Sequence, residues 1–507
     1  MTEPRQHKWH RFPHAFWIAP LAHLAAALPF VVLLNIWSDE ASTLWATRHG
    51  LAEAFTASLN EKQAPFYFIF LSAWRLINDS QVFARIPSLI FALAAIAVFY
   101  KLAKRFLDER TAVVSTFFFA LHPFLFYTTF EIRVYSLVIL FTAVLGVLFF
   151  EAYLDSERIS STKSLLVIAV TLLALLTNYY IGFLLVGFAA GLLATRRYGA
   201  FWKFVRDMAI VGVLFTPMVY VVVMQLGQAT AGYVDPRSLG EGLRALWNRF
   251  LTFTLPTEIY TPEEISSWSF VRLWLVRLAV PLAAITLIWN RRWKDDAIVL
   301  LTAVSGVGFV LLLVAYFILG PIYVEIRHSA FLFVPMMLLL ATVARRIVPR
   351  GSVRRPLLAA GGVLLIGFYS YGFSMLYPAG VKRGDWSRVA NYVEQNEKPG
   401  QPILVFRSYE TIAFRLNYSG ANEVFPKRGY FTWEYEAPFG SPDIWTNQIK
   451  DVTSRIPTQA SEVWLLTEST CQETESCRPL EKWVEANYTV LKTKDFYKER
   501  VRLLRRR

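Results

Sequence analysis

AFWIAPLAHLAAALPFVVLLNIWSDE, residues 15–40, is a nearly continuous apolar run that stops on two adjacent carboxylates. From Ala15 to Trp37 it supplies the roughly 20 residues that an α-helix needs to cross a hydrocarbon core of about 30 Å. A basic stretch precedes it (Arg5, His7, Lys8, His10, Arg11), so the run reads either as a signal peptide or as an uncleaved first span. Its length exceeds the usual apolar region of a secretory signal and favours a span with a cytoplasmic N-terminus.

Working outward, the same character recurs along the chain. Of 507 residues, 55% are hydrophobic and 16% aromatic, and the mean hydropathy is +0.38. That is too apolar for a water-soluble enzyme, whose surface must be covered by polar groups. The net charge of +14 does not mark a nucleic-acid binder. Its Lys and Arg lie in short clusters between apolar runs, as in the cytoplasmic loops of a membrane protein, rather than on one basic face.

Further spans are expected at 84–104, 111–128, 135–153, 164–178, 180–195, 207–225, 271–289, 296–319, 329–344 and 356–377, about eleven in all. With the N-terminus inside, alternate loops carry the positive charge: Lys101, Lys104, Arg105 and Arg110; Arg158 and Lys163; Arg196, Arg197, Lys203 and Arg206; Arg291, Arg292 and Lys294; then Arg345, Arg346, Arg350, Arg354 and Arg355. This is the positive-inside pattern. It leaves 38–83, 128–134, the bend at Asn178–Tyr180, 226–270, 320–328 and the tail from Pro378 outside. In the first outer loop, a helix-like stretch runs from Ala41 to Leu59. Pro65–Ile77 is too short to span and reads as an interfacial amphipathic helix, with Tyr67, Trp74 and Arg75 suited to the headgroup level.

Charge and turn content rise abruptly after Tyr377, which divides the chain into a membrane domain (1–377) and a soluble α/β domain (378–507). In the latter, Asp385 is a candidate N-cap for a helix over Trp386–Gln395, and Ile403–Phe406 and Val463–Leu466 are short buried-strand candidates. Cys471 and Cys477 both fall here, away from the membrane. Their placement suggests one local disulfide, with two free thiols as the other reading.

The polar residues with chemical interest gather at the outer ends of the spans, where ionisable groups are costly and serve a purpose. Asp39 and Glu40 follow the first span; alone, they would pass for solvated flanking charges. Lys62 and Gln63 precede Pro65-Phe66-Tyr67. Arg85 opens the second span in Arg85-Ile86-Pro87-Ser88. His122-Pro123 comes shortly before Glu131-Ile132-Arg133-Val134-Tyr135. If the helix has begun at Glu131, that residue and Tyr135 share a face; the bland alternative is an ion pair of Glu131 with Arg133. Arg327-His328 opens a late span after Pro321-Ile322-Tyr323. Arg85 and Arg327 would otherwise simply snorkel to headgroups.

In combination these residues resemble the GT-C class of membrane glycosyltransferases, in particular the bacterial branch related to protein O-mannosyltransferases (glycosyltransferase family 39) and to the aminoarabinose transferases of lipid A. The resemblance covers residues 15–150 and rests on order and spacing: an Asp-Glu pair after the first span, an aromatic Pro-x-Tyr segment, Arg-x-Pro-Ser at the second span, and acidic-x-Arg-x-Tyr at Glu131. Leu176-Thr177-Asn178-Tyr179-Tyr180 is similar to the family's Thr-His-Tyr bend with Asn for His, and Arg327-His328 is similar to its Arg-Tyr opening with His for Tyr. The tail resembles the extracytoplasmic α/β domain of some members.

The resemblance implies a GT-C helical membrane domain in the cytoplasmic membrane of a cell with an envelope glycan. It also implies transfer of a sugar from a polyprenyl-phosphate donor to an acceptor hydroxyl, on lipid, glycan or protein, at the outer face. Asp39, Glu40 and Glu131 become the catalytic candidates, and Lys62, Gln63, Tyr67, Arg85, His122, Arg133, Tyr135, Tyr179, Arg327 and His328 the substrate-binding ones. A carboxylate is the base a hydroxyl nucleophile needs, and fixed cations meet the charge of a phosphate leaving group. No cofactor is demanded: carboxylates can ligate a divalent cation, but no His or Asp cluster requires one. The chief competing reading is a transporter or flippase for a lipid-linked or anionic substrate. Such proteins show inverted repeats and Gly- or Pro-broken midplane helices, and neither is evident. A structural or signalling protein whose tail does the work leaves the ordered outer carboxylates unexplained.

Overall fold

The computed structural model describes residues 13–155, 161–230, 238–257, 267–320, 324–348, 354–377, 380–407, 410–427, 449–450, 453–454, 456, 460–469, 471 and 477–507. The basic stretch Arg5–Arg11, Arg158, Pro321-Ile322-Tyr323, Arg350 and Pro378 lie outside the described residues. The chain divides into two compact units. One, the membrane unit, comprises Met1–Val32, Leu51–Gln225 and Arg237–Leu376; the other, the C-terminal unit, comprises Leu33–Gly50, Leu226–Pro236 and Tyr377–Arg507.

The membrane unit is helical: α1 (Ile18–Leu33), α3 (Leu51–Asn60), α4 (Pro65–Arg75), α5 (Gln81–Ala103), α6 (Glu109–Ala120), α7 (Pro123–Thr129), α8 (Tyr135–Phe149), α9 (Ser161–Leu175), α10 (Ile181–Ala194), α11 (Tyr198–Thr230), α12 (Leu239–Thr254), α13 (Ser267–Trp289), α14 (Asp296–Leu319), α15 (Ala330–Ile347) and α16 (Arg354–Leu376). Among the described residues eight helices are long and apolar enough to cross a membrane, and the α6–α7 pair, bent by 55°, makes up to nine if it is counted as one span. The two shorter apolar helices, α9 and α10, occupy the remaining two positions where spans are expected. The α6–α7 bend has a local cause. Pro123 cannot continue α6, and the His122 Nδ1 accepts the Phe124 N–H at 3.1 Å, restarting the chain as a capped helix.

Buried hydrogen bonds tie helices of this unit together, as a low-dielectric interior favours. His23 on α1 is fully buried, with Nδ1 2.7 Å from the Ala120 carbonyl oxygen and Nε2 3.1 Å from the Thr129 hydroxyl. Its two bonds tie α1 to both halves of the bent span. Helices α10 and α14 run against each other at small residues. A methyl group added at Gly187 would stand 2.9 Å from the Val304 carbonyl oxygen, so the two backbones approach as only glycine allows.

In the first loop the helix-like stretch 41–59 is two helices, α2 (Ser38–Ala46), which belongs to the C-terminal unit, and α3. The break falls at Gly50, whose φ of +104° is accessible to glycine at no steric cost. The Pro65–Ile77 helix forms as α4, with proline in its first turn, where the missing N–H costs nothing.

The C-terminal unit is α/β. Five strands, β1 (Ile403–Val405), β2 (Val424–Phe425), β3 (Glu462–Glu468), β4 (Tyr488–Asp495) and β5 (Glu499–Arg506), form one sheet in the order β2-β1-β3-β5-β4. β1 pairs in parallel with β2 and β3, whereas β5 pairs antiparallel with β3 and β4. α17 (Trp386–Asn396), α18 (Thr411–Asn417) and α19 (Arg478–Asn487) accompany it. Leu404, Phe406, Val463, Leu465 and Leu480 pack into a core that includes the Cys471–Cys477 disulfide, whose Cα atoms are 5.2 Å apart. Asp385 precedes α17 but does not cap it through its side chain; its carboxylate pairs with Arg388 at 2.6 Å.

Candidate active site

The sequence-derived candidates fall into both units. In the membrane unit, Arg85 sits in the second turn of α5, 1% exposed, with its guanidinium donating to the Val31 carbonyl at 3.2 Å. One turn later Ser88 donates to the carbonyl oxygen of Glu131 at 2.6 Å. That bond anchors the turn between α7 and α8 on which Glu131 and Arg133 stand. α8 begins only at Tyr135, so Glu131 precedes the helix and does not share a helical face with Tyr135. Glu131 is fully buried, Arg133 is 8% exposed and Tyr135 2%. A carboxylate removed from water in this way needs hydrogen-bond or charge compensation.

A second group assembles around the bend after α9. The Asn178 side-chain oxygen accepts the Tyr180 N–H at 2.9 Å, an Asx turn that holds Tyr179 and Tyr180 in place. The Tyr180 ring stacks on His328 with centroids 5.6 Å apart. Arg327 pairs with Glu325 at 2.9 Å. The first loop reaches this bend through the Phe66 N–H, which donates to Leu176 at 2.8 Å. Tyr67, next in α4, is 1% exposed. Gln225 on α11 holds the α3–α4 connection, donating to the carbonyl oxygens of Leu59 at 3.1 Å and Gln63 at 3.3 Å. Lys62, in that connection at a φ of +57°, is half-buried, and burial lowers the pKa of its ammonium. His122 is committed to capping α7, its ring packed edge-on against Phe333 and Tyr369.

In the C-terminal unit, α2 opens with Ser38, Asp39 and Glu40 and packs on α18. Glu40 is fully buried, and its Oε1 accepts from the Lys382 ammonium at 2.7 Å. Close by lies a cluster of carboxyls: Glu410 ahead of α18, Glu468 at the end of β3, Glu499 at the start of β5 and Asp385 ahead of α17. Arg407 pairs with Glu468 at 3.0 Å. Burial, with the charge of Glu468 beside it, pushes Glu410 up to about 8, and Asp39 adds to the rise while Trp386 and Ser38 oppose it. Burial and the charges of Glu410, Glu468 and Asp385 likewise hold Glu499 well above the usual carboxyl range, with Arg407 opposing. Gly384 suits this position because its φ of +89° lies in the left-handed region that glycine adopts at no steric cost. Among the described residues, no group of three or more His, Cys, Asp or Glu side chains is arranged to hold a metal ion.

Lys382, Asn35, Gln225, Glu325 and Glu410 went unnoticed in the sequence. Nothing local in the sequence links Lys382 to a glutamate 342 residues earlier.

A family model described as dolichyl-phosphate-mannose-protein mannosyltransferase matches residues 62–221, the segment from Lys62 past Arg85, Glu131 and the Asn178 bend. The apo oligosaccharyltransferase of Archaeoglobus fulgidus superposes with a TM-score of 0.50 at 10% identity, over 90% of this chain and 69% of that one. The chain shares the GT-C fold of that enzyme. Two other GT-C structures are similar to this one. ArnT from Cupriavidus metallidurans bound to undecaprenyl phosphate gives a TM-score of 0.43 at 12% identity, covering 97% of this chain and 98% of that one. The archaeal oligosaccharyltransferase AglB from Archaeoglobus fulgidus, in complex with an inhibitory peptide and a dolichol-phosphate, gives 0.49 at 10% identity, covering 94% and 72%. No curated protein matches the chain in sequence. Within the GT-C fold, the candidate residues stand on the connections between helices and in the first two turns of α2, α4, α5 and α8.

Proposed function

We propose that this protein transfers a sugar from a polyprenyl-phosphate donor to an acceptor hydroxyl, on lipid, glycan or protein, at the outer face of the cytoplasmic membrane. The observation that carries this reading is Glu131, a fully buried carboxylate on a helix connection that also bears Arg133 and is tied by Ser88 to the helix of Arg85. Ionisable groups so placed in a membrane unit mark a polar substrate site. The family match over 62–221, to proteins named for a dolichyl-phosphate sugar donor, supports the same donor class.

In this reading Asp39 accepts the proton as the acceptor oxygen forms its bond to the anomeric carbon. The bond from that carbon to the phosphate oxygen breaks with its electron pair, giving the glycoside with inverted configuration and a polyprenyl phosphate. Arg85, Arg133, Arg327 and Lys62 are the cations available to the phosphate, and guanidinium suits it because its donors fork onto two oxygens. Glu131 orients donor or acceptor through its hydroxyls. The prenyl tail contributes little selectivity, since it merely moves from lipid to protein; headgroup contacts must discriminate.

The experiment is transfer by purified protein in liposomes, offered either polyprenyl-phosphate sugars or the matching nucleotide sugars with alcohol, glycan and peptide acceptors. Turnover with a lipid-linked donor is expected. Turnover with nucleotide sugar alone, free of any lipid-linked intermediate, would overturn both donor and mechanism.

A further inference from the structure

The start of α2 is held more firmly than its exposure to a loop would require. Glu40 and Lys382 are both removed from solvent, with side chains 0% and 1% exposed, and meet at 2.7 Å. Two flanking hydrogen bonds bind the same segments. The Asn35 side-chain amide donates to the Gly384 carbonyl at 2.9 Å, and the Lys382 N–H donates to Asn35 Oδ1 at 2.9 Å. The Arg383 guanidinium lies 4.8 Å from the centre of the Trp37 ring. Residues 35–40 are thus clamped to 382–384 from both ends, with the ion pair at the helix end of the clamp.

Asp39 sits inside this clamp. Its carbonyl oxygen accepts the Thr43 hydroxyl at 3.0 Å, so its backbone already belongs to the helix. Adjacent residues on a helix point about 100° apart, so Glu40 can turn inward to Lys382 while Asp39 takes another direction from the same turn. A loop carboxylate would sample many positions; one on a pinned first turn has only its own χ angles left to set.

We infer that Lys382 is a positioning residue for the transfer reaction: by pairing with Glu40 it fixes the first turn of α2 and with it the carboxylate of Asp39. The inference rests on Asp39 serving as the base in the reading above. Lys382 touches no reacting atom. It balances the buried charge of Glu40, which would otherwise stand next to the base as an uncompensated anion and disfavour ionised Asp39.

The test compares Lys382→Met, which keeps the stem and removes the charge, with Lys382→Arg, in liposomes with a polyprenyl-phosphate donor. Lys382→Met is expected to lose up to about 10²-fold in kcat, the scale of a misplaced catalytic group, with little change in donor KM. The acid limb of its pH–rate profile should move to higher pH, and Lys382→Arg should recover both rate and limb. Melting temperature in detergent is recorded for each variant. Folded Lys382→Met with wild-type kcat and an unmoved limb overturns the inference while the glycosyltransferase reading stands. So does a rate loss that follows only the fraction of folded protein. A wild-type protein inert with every polyprenyl-phosphate sugar overturns the functional reading, and this inference with it.

Discussion

Replacing Gly187 by alanine tests the seam between α10 and α14 against an opposing effect of known size. Alanine favours a helix interior over glycine by about 0.8–1.0 kcal/mol, so the substitution stabilises where space allows. At Gly187 it does not. The new Cβ would lie 2.9 Å from the Val304 carbonyl oxygen and 3.2 Å from its Cα. Both are backbone atoms, which cannot rotate away as a side chain can, so α10 must move back by a few tenths of an ångström along its contact. Overpacking of this kind costs about 1–3 kcal/mol, leaving a net loss of roughly 1 kcal/mol after the helix gain is subtracted. Gly212 on α11 is the control, with nothing within 4 Å of a Cβ. Gly191 is intermediate: its Cβ would meet the Leu300 Cδ1 at 2.5 Å, but that is the tip of a flexible side chain. Thermal unfolding in one detergent should rank Gly212→Ala above wild type and Gly187→Ala below it, with Gly191→Ala close to wild type. If Gly187→Ala melts as high as Gly212→Ala, the helices are not in backbone contact there and the reasoning fails.

Three further outcomes follow from the carboxyls. Glu410 holds its proton up to about pH 8 in the folded protein but only to about 4.3 when unfolded. The folded state therefore binds more protons in between, and the stability this contributes is complete below the ordinary carboxyl range and is lost as pH rises through 8. Melting temperature should fall from pH 6 to pH 9.5, and Glu410→Gln should flatten that decline; an unchanged slope would remove Glu410 as its source. Asp39→Asn should insert and fold normally yet lose about 10²- to 10⁴-fold in turnover, the share a general base supplies. Glu131→Gln should also be strongly impaired; wild-type turnover by the purified Asp39→Asn protein would dismiss that residue as the base.

How much of this was legible depends on the range of the interactions. Of the eleven expected spans, eight meet helices long and apolar enough to cross a membrane and a ninth meets the bent α6–α7 pair, because long apolar windows are a property of local sequence, whereas 164–178 and 180–195 meet the shorter helices α9 and α10. The buried strands β1 and β3 were visible as Ile403–Phe406 and Val463–Leu466 for the same reason. Strands β4 and β5 were not: β4 is almost wholly exposed, and β5 carries Arg500, Arg502, Arg505 and Arg506 among its apolar residues, so neither reads as a core strand. The expected span at 135–153 starts where α8 starts, and the conditional helical face shared by Glu131 and Tyr135 does not arise because Glu131 precedes the helix. The pairing of Glu40 with Lys382 lay beyond sequence reasoning altogether, since an ion pair leaves no periodicity.

That pairing also sets an order of events during synthesis. Lys382 follows Glu40 by 342 residues, and at about 5–20 residues per second the ribosome needs roughly 17–70 s to cover that distance. Throughout that interval the first turn of α2 lacks its anchor, and on the proposed reading Asp39 is not yet held in place for the reaction. On the proposed role of Asp39, competence for chemistry would arrive only with the C-terminal unit, and a chain truncated before Lys382 would lack the Glu40 anchor.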